Sequence, residues 1–291
     1  MAPTAPRDAG APAFTAPRGS CDAHFHVFAR AERYAFAGEL RYRPPFAPLP
    51  DYLAVAGCLG LERMVFVQPS AYGRDNACML DAMAQLPASR CRGIVDIGED
   101  AAESAIAALH ARGVRGVRIN VSPVKTPQSG FAQTLLPRIR RLDAVCAEAG
   151  WMLDFLLPGW LTAELMDTLK QLRAPFTLAH MGMFPARAGA GQPGFVQLLD
   201  LLRHGDGRCW VKLTGVYRMS QASGFADAAP MAEALLAAAP GRILWGSDFP
   251  HLSFADRVGS LELFNLLARW APEEGLRQRI LVDNPRELFG F

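Results

Sequence analysis

Short apolar runs recur along the chain, each trailed by a longer stretch in which apolar residues return every three or four positions. The runs fall at 20–27 (SCDAHFHV), 63–69, 92–97, 116–120, 152–156, 176–180, 209–213 and 242–248. Their length and their content of Val, Ile and Phe predict eight strands. Helical periodicity marks 51–60, 75–86, 100–112, 131–149, 161–172, 193–204 and 227–238, with 256–270 and 273–289 closing the chain. Strand then helix, repeated, implies parallel strands joined by crossover helices. Eight such units in 291 residues fit an α/β chain closed as a (β/α)8 TIM barrel better than an open doubly wound sheet. The open sheet would usually carry a glycine-rich phosphate turn after its first strand, and no G-x-G-x-x-G or Walker pattern is present.

Residues 1–19, rich in Ala and Pro, read as an irregular N-terminal arm, and 20–291 as a single catalytic barrel domain. The arm holds no apolar run of signal-peptide length, and nothing later offers the roughly 18 uninterrupted apolar residues of a membrane span. A cytoplasmic protein is expected. The net charge of +2, with acids and bases interspersed, lacks the footprint of a nucleic-acid or membrane binder, so a small-molecule partner is expected. Assembly into a homo-oligomer stays open. Six scattered cysteines without C-x-x-C pairs read as buried free thiols.

Against this apolar background, the polar residues of CDAHFHVF need a reason. Alternation in a strand puts Asp22, His24 and His26 on one face and Ala23, Phe25 and Val27 on the other. In a barrel both histidines then point inward near the C-terminal end of strand one. His180 ends the sixth strand (FTLAH) and Asp248 the eighth (ILWGSD), so three histidines and an aspartate converge on one mouth. Arg118 alternates with Val117 and Ile119 and should face the interior, meeting either a bound anion or an acidic neighbour such as Asp154. Lys212 reads as an outward cation and is not assigned to the site. Long loops at 29–50 and 181–195 would shape the mouth; Tyr42 and Ser70 offer hydroxyls that could orient carboxylates, and His251 could orient Asp248, touch substrate or cap a loop.

The segments CDAHFHVF, VFVQPSAYGRDN, GVRGVRIN, LAHMG, WVKLTGVYR and LWGSDFPH, in this order from residue 21 to 251, resemble the amidohydrolase superfamily. The resemblance is to its branch of 2-pyrone-4,6-dicarboxylate lactonases, 4-sulfomuconolactone hydrolases, sugar lactonases and galactarolactone isomerases. It implies a lactonase of the kind used in the degradation of aromatic compounds. His24, His26, His180 and Asp248 would be the catalytic set, either binding one divalent metal such as zinc or working without one; no cofactor is expected to be obligatory. A bridging lysine on strand four, needed for a binuclear site, is absent. Arg218, after strand seven, falls where the resembling lactonases use an arginine for a substrate carboxylate. Many pyrone-dicarboxylate lactonases resemble HMGR after strand six, with an arginine where this chain has Met183, so Lys125 or Arg187 could supply an anion contact instead. The expected reaction is the opening of a carboxylated lactone by Asp248-activated water, with the histidines polarising the carbonyl. Sugar-acid lactone hydrolysis or isomerisation, and decarboxylation of an aromatic acid, are the alternatives.

Overall fold

The computed structural model describes residues 10–38, 40, 42–121, 126, 127 and 129–291. Eight parallel strands follow one another around a single sheet: β1 Cys21–Phe25, β2 Arg63–Val67, β3 Cys91–Val95, β4 Val114–Asn120, β5 Met152–Leu156, β6 Phe176–Leu178, β7 Cys209–Leu213 and β8 Ile243–Trp245. The ring closes just beyond β8, where the Asp248 N–H donates to the His24 carbonyl and the His26 N–H to the Phe249 carbonyl, each at 2.8 Å. A (β/α)8 barrel results. All eight predicted strands are present; β6 and β8 stop early because the chain turns into left-handed backbone at His180 and Asp248, with φ of 53° and 55°.

Helices Leu49–Leu59, Phe131–Ala149 and Pro193–His204 lie where periodicity places them. The segment at 161–172 instead divides into Gly159–Glu164 and Met166–Lys170. The closing helix holds a π-turn at Arg279–Asp283, ahead of Pro285, whose missing N–H cannot complete an ordinary helical ladder. Inside the barrel, Val65, Val67, Ile94, Met152, Trp210 and Leu244 form an apolar floor with Phe289. Arg92 donates from Nε to the Phe289 carbonyl at 3.0 Å, tying the C-terminal helix across that end. The polar residues of the interior therefore lie above a dry plug, at the C-terminal ends of the strands.

Along the outside, Phe14 stacks on Phe264 with ring centroids 4.4 Å apart, and the Ala13 N–H donates to Asn265 Oδ1 at 2.7 Å. Among the described residues no helix is long and apolar enough to cross a membrane.

Candidate active site

Simple alternation fails in β1. Asp22 pairs with Met64 and Phe25 with Phe66, so three steps on β1 span two on β2, the signature of a bulge. Asp22 is thereby turned outward, to the layer where Phe25 stacks on Tyr52 at 3.5 Å, while His24 and His26 face the interior. The expectation that Asp22 shares their face is corrected for that reason. Asp22 stitches the barrel instead, accepting from the Ser247 hydroxyl at 2.6 Å, the Ser247 and His24 N–H groups at 3.0 Å and the Tyr52 hydroxyl at 3.2 Å. Burial pushes its carboxyl up to about 6, against the opposing pull of these hydrogen bonds.

His180 arrives by another device. Residues His180, Met181, Gly182 and Met183 all have positive φ (53°, 50°, 71° and 56°). Left-handed backbone costs a non-glycine residue about 1–2 kcal/mol, so this turn persists only because packing holds it. Gly215 leaves the room: a Cβ there would run into the His180 ring. The three histidines then surround Asp248, with Nε2 of His24 and His26 lying 3.6 and 3.5 Å from Oδ1 and Nε2 of His180 3.9 Å from Oδ2.

The two oxygens of Asp248 have different surroundings. Oδ2 accepts from the Tyr217 hydroxyl at 2.5 Å and from Arg218 Nε at 3.1 Å. Oδ1 is buried with no hydrogen-bond partner, and so is His24 Nε2 across from it. Burial by itself would raise the Asp248 pKa, but Arg218 and the neighbouring histidines hold it well below the usual carboxylate range. Burial lowers all three histidines, His180 to about 3, and for His24 the cation of Lys212 adds to the effect, so neutral imidazoles face an ionised carboxylate.

Hydrogen bonds on the far nitrogens bear on the tautomers. His26 Nδ1 lies 2.7 Å from the Val67 carbonyl, which can only accept; Nδ1 therefore carries the proton and Nε2 presents a lone pair to the centre. His24 Nδ1 lies 3.4 Å from the Lys212 ammonium, which can only donate, so His24 turns an Nε2–H inward. Lys212 is fully buried and also meets Asp154 Oδ1 at 2.6 Å, where Thr177 donates at the same distance. The reading of Lys212 as an outward cation is corrected: Cys209, Val211 and Leu213 pack outward, and Lys212 takes the opposite face with Trp210.

Arg118, 3% exposed, faces the interior and meets the acidic neighbour the sequence suggested. Its Nε lies 3.8 Å from Asp154 Oδ2 and it donates to the Gln68 carbonyl at 2.7 Å, yet it also lines the central cavity. That cavity, of about 870 Å³, is further lined by His26, Tyr42, Ser70, Tyr217 and Arg218. His251 is not on this wall; its Nε2 lies 3.0 Å from Ser260 Oγ, its ring stands edge-on to Tyr217, and its N–H donates to the Asp248 carbonyl. Arg187 is exposed and off the wall, and Lys125 lies outside the described residues. Sequence reasoning passed over Tyr217, named Asp154 only as a possible partner of Arg118, and left Lys212 out of the site. Tyr217 adjoins Arg218 in a motif already singled out, and Lys212 alternates with apolar neighbours as Arg118 does.

Among the described residues, His24, His180 and Asp248 offer ligand atoms all within 4.8 Å of one another. His26 Nε2 lies 3.5 Å from Asp248 Oδ1 but is not one of that group. Neutral imidazoles and a carboxylate at the centre fit one divalent ion such as zinc, with His24 Nε2 able to join only in the tautomer that carries its proton on Nδ1.

Residues 21–291 match the family model described as Amidohydrolase. The chain belongs to that family. It is 37% identical over 292 residues to a 4-sulfomuconolactone hydrolase of Rhizobium radiobacter, covering 98% of this chain and 95% of the relative. It is 30% identical to a 2-pyrone-4,6-dicarboxylate hydrolase of Comamonas testosteroni, over 96% and 92% of the two chains. An apo crystal structure from Agrobacterium tumefaciens superposes with a TM-score of 0.85 at 29% identity, covering 97% of this amidohydrolase and 99% of that chain.

Proposed function

We propose that this amidohydrolase opens a carboxylated lactone by hydrolysis. The observation that carries the reading is the division of Asp248: Oδ2 is held by Tyr217 and Arg218, while Oδ1 faces the imidazoles with no partner of its own. A water seated there donates one hydrogen to Oδ1 and the other to the lone pair of His26 Nε2, two acceptors 3.5 Å apart. Its oxygen is left with a lone pair directed at the carbonyl carbon.

As that carbon–oxygen bond forms, the water proton passes to Oδ1 and the carbonyl π pair becomes an oxyanion. His24 Nε2–H is the donor for it. Collapse restores the carbonyl and breaks the ring C–O bond; the departing ring oxygen takes the proton back from Asp248. One water is consumed, a carboxylic acid and a hydroxyl appear, and the acid then loses its remaining proton to solvent to become the carboxylate. Arg118 and Arg218, both on the cavity wall, hold the substrate carboxylates, and Tyr42 and Ser70 orient them. A single divalent ion, held by His26, His180 and Asp248 with His24 in its other tautomer, would supply Lewis-acid polarisation of the carbonyl in place of the His24 donor. The names of the relatives, both lactone hydrolases, support the same reaction class.

Turnover of carboxylated lactones in heavy-oxygen water tests the reading. The expected product has gained one water, with the label in its new carboxylate. A product of unchanged mass would make the protein an isomerase, and released carbon dioxide a decarboxylase; either would overturn the proposal.

A further inference from the structure

The cavity is chemically lopsided. Arg118 reaches it from β4, and Arg218 and Arg257 from the segments that follow β7 and β8, whereas its described lining between residues 156 and 194 carries no charged side chain. That wall is built from Leu156, Trp160, Met183 and Phe184. Gln192 is its polar member, and its amide nitrogen is committed to the carbonyls of Pro185 at 3.0 Å and Gly189 at 2.7 Å.

The wall is also rigid. A Cβ at Gly194 would come within 2.7 Å of Phe184 Cε1, and one at Gly159 within 2.9 Å of Phe184 Cα, so two glycines clear the space in which the Phe184 ring is clamped. The ring stands edge-on to Phe195 at 5.6 Å. The left-handed turn that aims His180 at the centre continues directly into Met183 and Phe184, so one piece of backbone sets both the reacting centre and this face.

Size points the same way. At about 870 Å³ the cavity lies in the upper part of the range, about 300–1,000 Å³, that encloses drug-sized ligands, far more than one small ring with its carboxylates fills. A neighbouring cavity of about 300 Å³ beyond Tyr42 is lined by Gln68 and Asp96 and is a poor host for an apolar group.

Resting on the lactone reading above, we infer that the substrate is a lactone with an anionic end and an apolar arm, an aryl or short alkyl group. The anionic end meets Arg118 and Arg218; the arm lies against Trp160, Met183 and Phe184. The wall is a specificity determinant, acting through binding remote from the reacting bond.

A series of lactones with one ring carboxylate, bearing hydrogen, propyl or phenyl at the position facing away from it, tests this. The kcat/KM is expected to rise about 10-fold or more from hydrogen to phenyl. Met183→Asn, chosen because asparagine tolerates left-handed backbone, is expected to bring that ratio close to unity. A flat or falling series, or a ratio unchanged in Met183→Asn, overturns the inference while lactone hydrolysis stands. If no lactone of any kind is opened, the proposed function fails and this inference with it.

Discussion

Lys212 has its ammonium 2.6 Å from Asp154 and 3.4 Å from the His24 imidazole, all at zero exposure. Burial would raise the Asp154 carboxyl, yet Lys212 and Arg118 hold it down, and Lys212 itself is lowered by burial against the pull of Asp154. Removing one member of such a pair leaves the other charge stranded. Lys212→Met is therefore expected to cost about 3–5 kcal/mol in urea unfolding, and Asp154→Leu in the same chain to recover much of it. A single variant as stable as the parent would contradict this account. Nearby cations also limit metal content: Arg118 and Lys212 occupy the interior of β4 and β7, where a second ion would need ligands. Elemental analysis after loading with excess zinc is expected to find no more than one equivalent per chain; two would be inconsistent with the site. The four central residues were legible in the sequence because each is a polar group at a strand end with no other purpose. Tyr217 was not, since a tyrosine in a loop reads equally well as packing. Lys212 was misread because a lysine so rarely tolerates complete burial.

At the scale of elements, the site depends on departures from regular structure. The β1 bulge, the left-handed turn after β6 and Gly215 after β7 each re-aim a side chain that regular geometry would misplace. None follows from periodicity, which explains why strand positions were readable and the facing of Asp22 was not. Gly215→Ala would press a Cβ onto the His180 ring, from a position with φ of 56°. We expect kcat to fall about 10²-fold with the far-ultraviolet circular dichroism unchanged; full activity would show that the ring has room to move. Titration follows from the same burial. His180 is lowered from an ordinary 6.5 to about 3, so the unfolded chain takes its proton first, and the contribution present above 6.5 is lost as pH falls toward 3. Asp22, raised from 3.8 to about 6, has the opposite sign: its contribution is present below 3.8 and lost as pH rises through 6. His24 and His26 are lowered in the same direction as His180, so three imidazoles oppose the one carboxyl of Asp22. The thermal midpoint should fall between pH 7 and 4, more steeply in Asp22→Asn, whereas a midpoint that climbs on acidification would refute the assignment.

The whole molecule brings residues 24, 180 and 218 onto Asp248, with Arg118 and Arg218 on the adjoining cavity wall, because the barrel places every strand end on one rim. Eight strand–helix units were visible in the sequence as alternating run lengths, and with them the rim. The closure was not: it uses backbone hydrogen bonds from Asp248 and His26 rather than a full ladder between β1 and β8, so the residue that bears the central carboxylate is also part of the seam. Structure and chemistry are thus joined at Asp248, and one comparison tests the account most directly. Hydrolysis of a carboxylated lactone should be measured for the parent and for Asp248→Asn, with binding of the ring-opened product followed in both. The account predicts a fall in kcat of about 10²–10⁴-fold with product still bound. An Asp248→Asn protein that opens the lactone at the parent rate would contradict it.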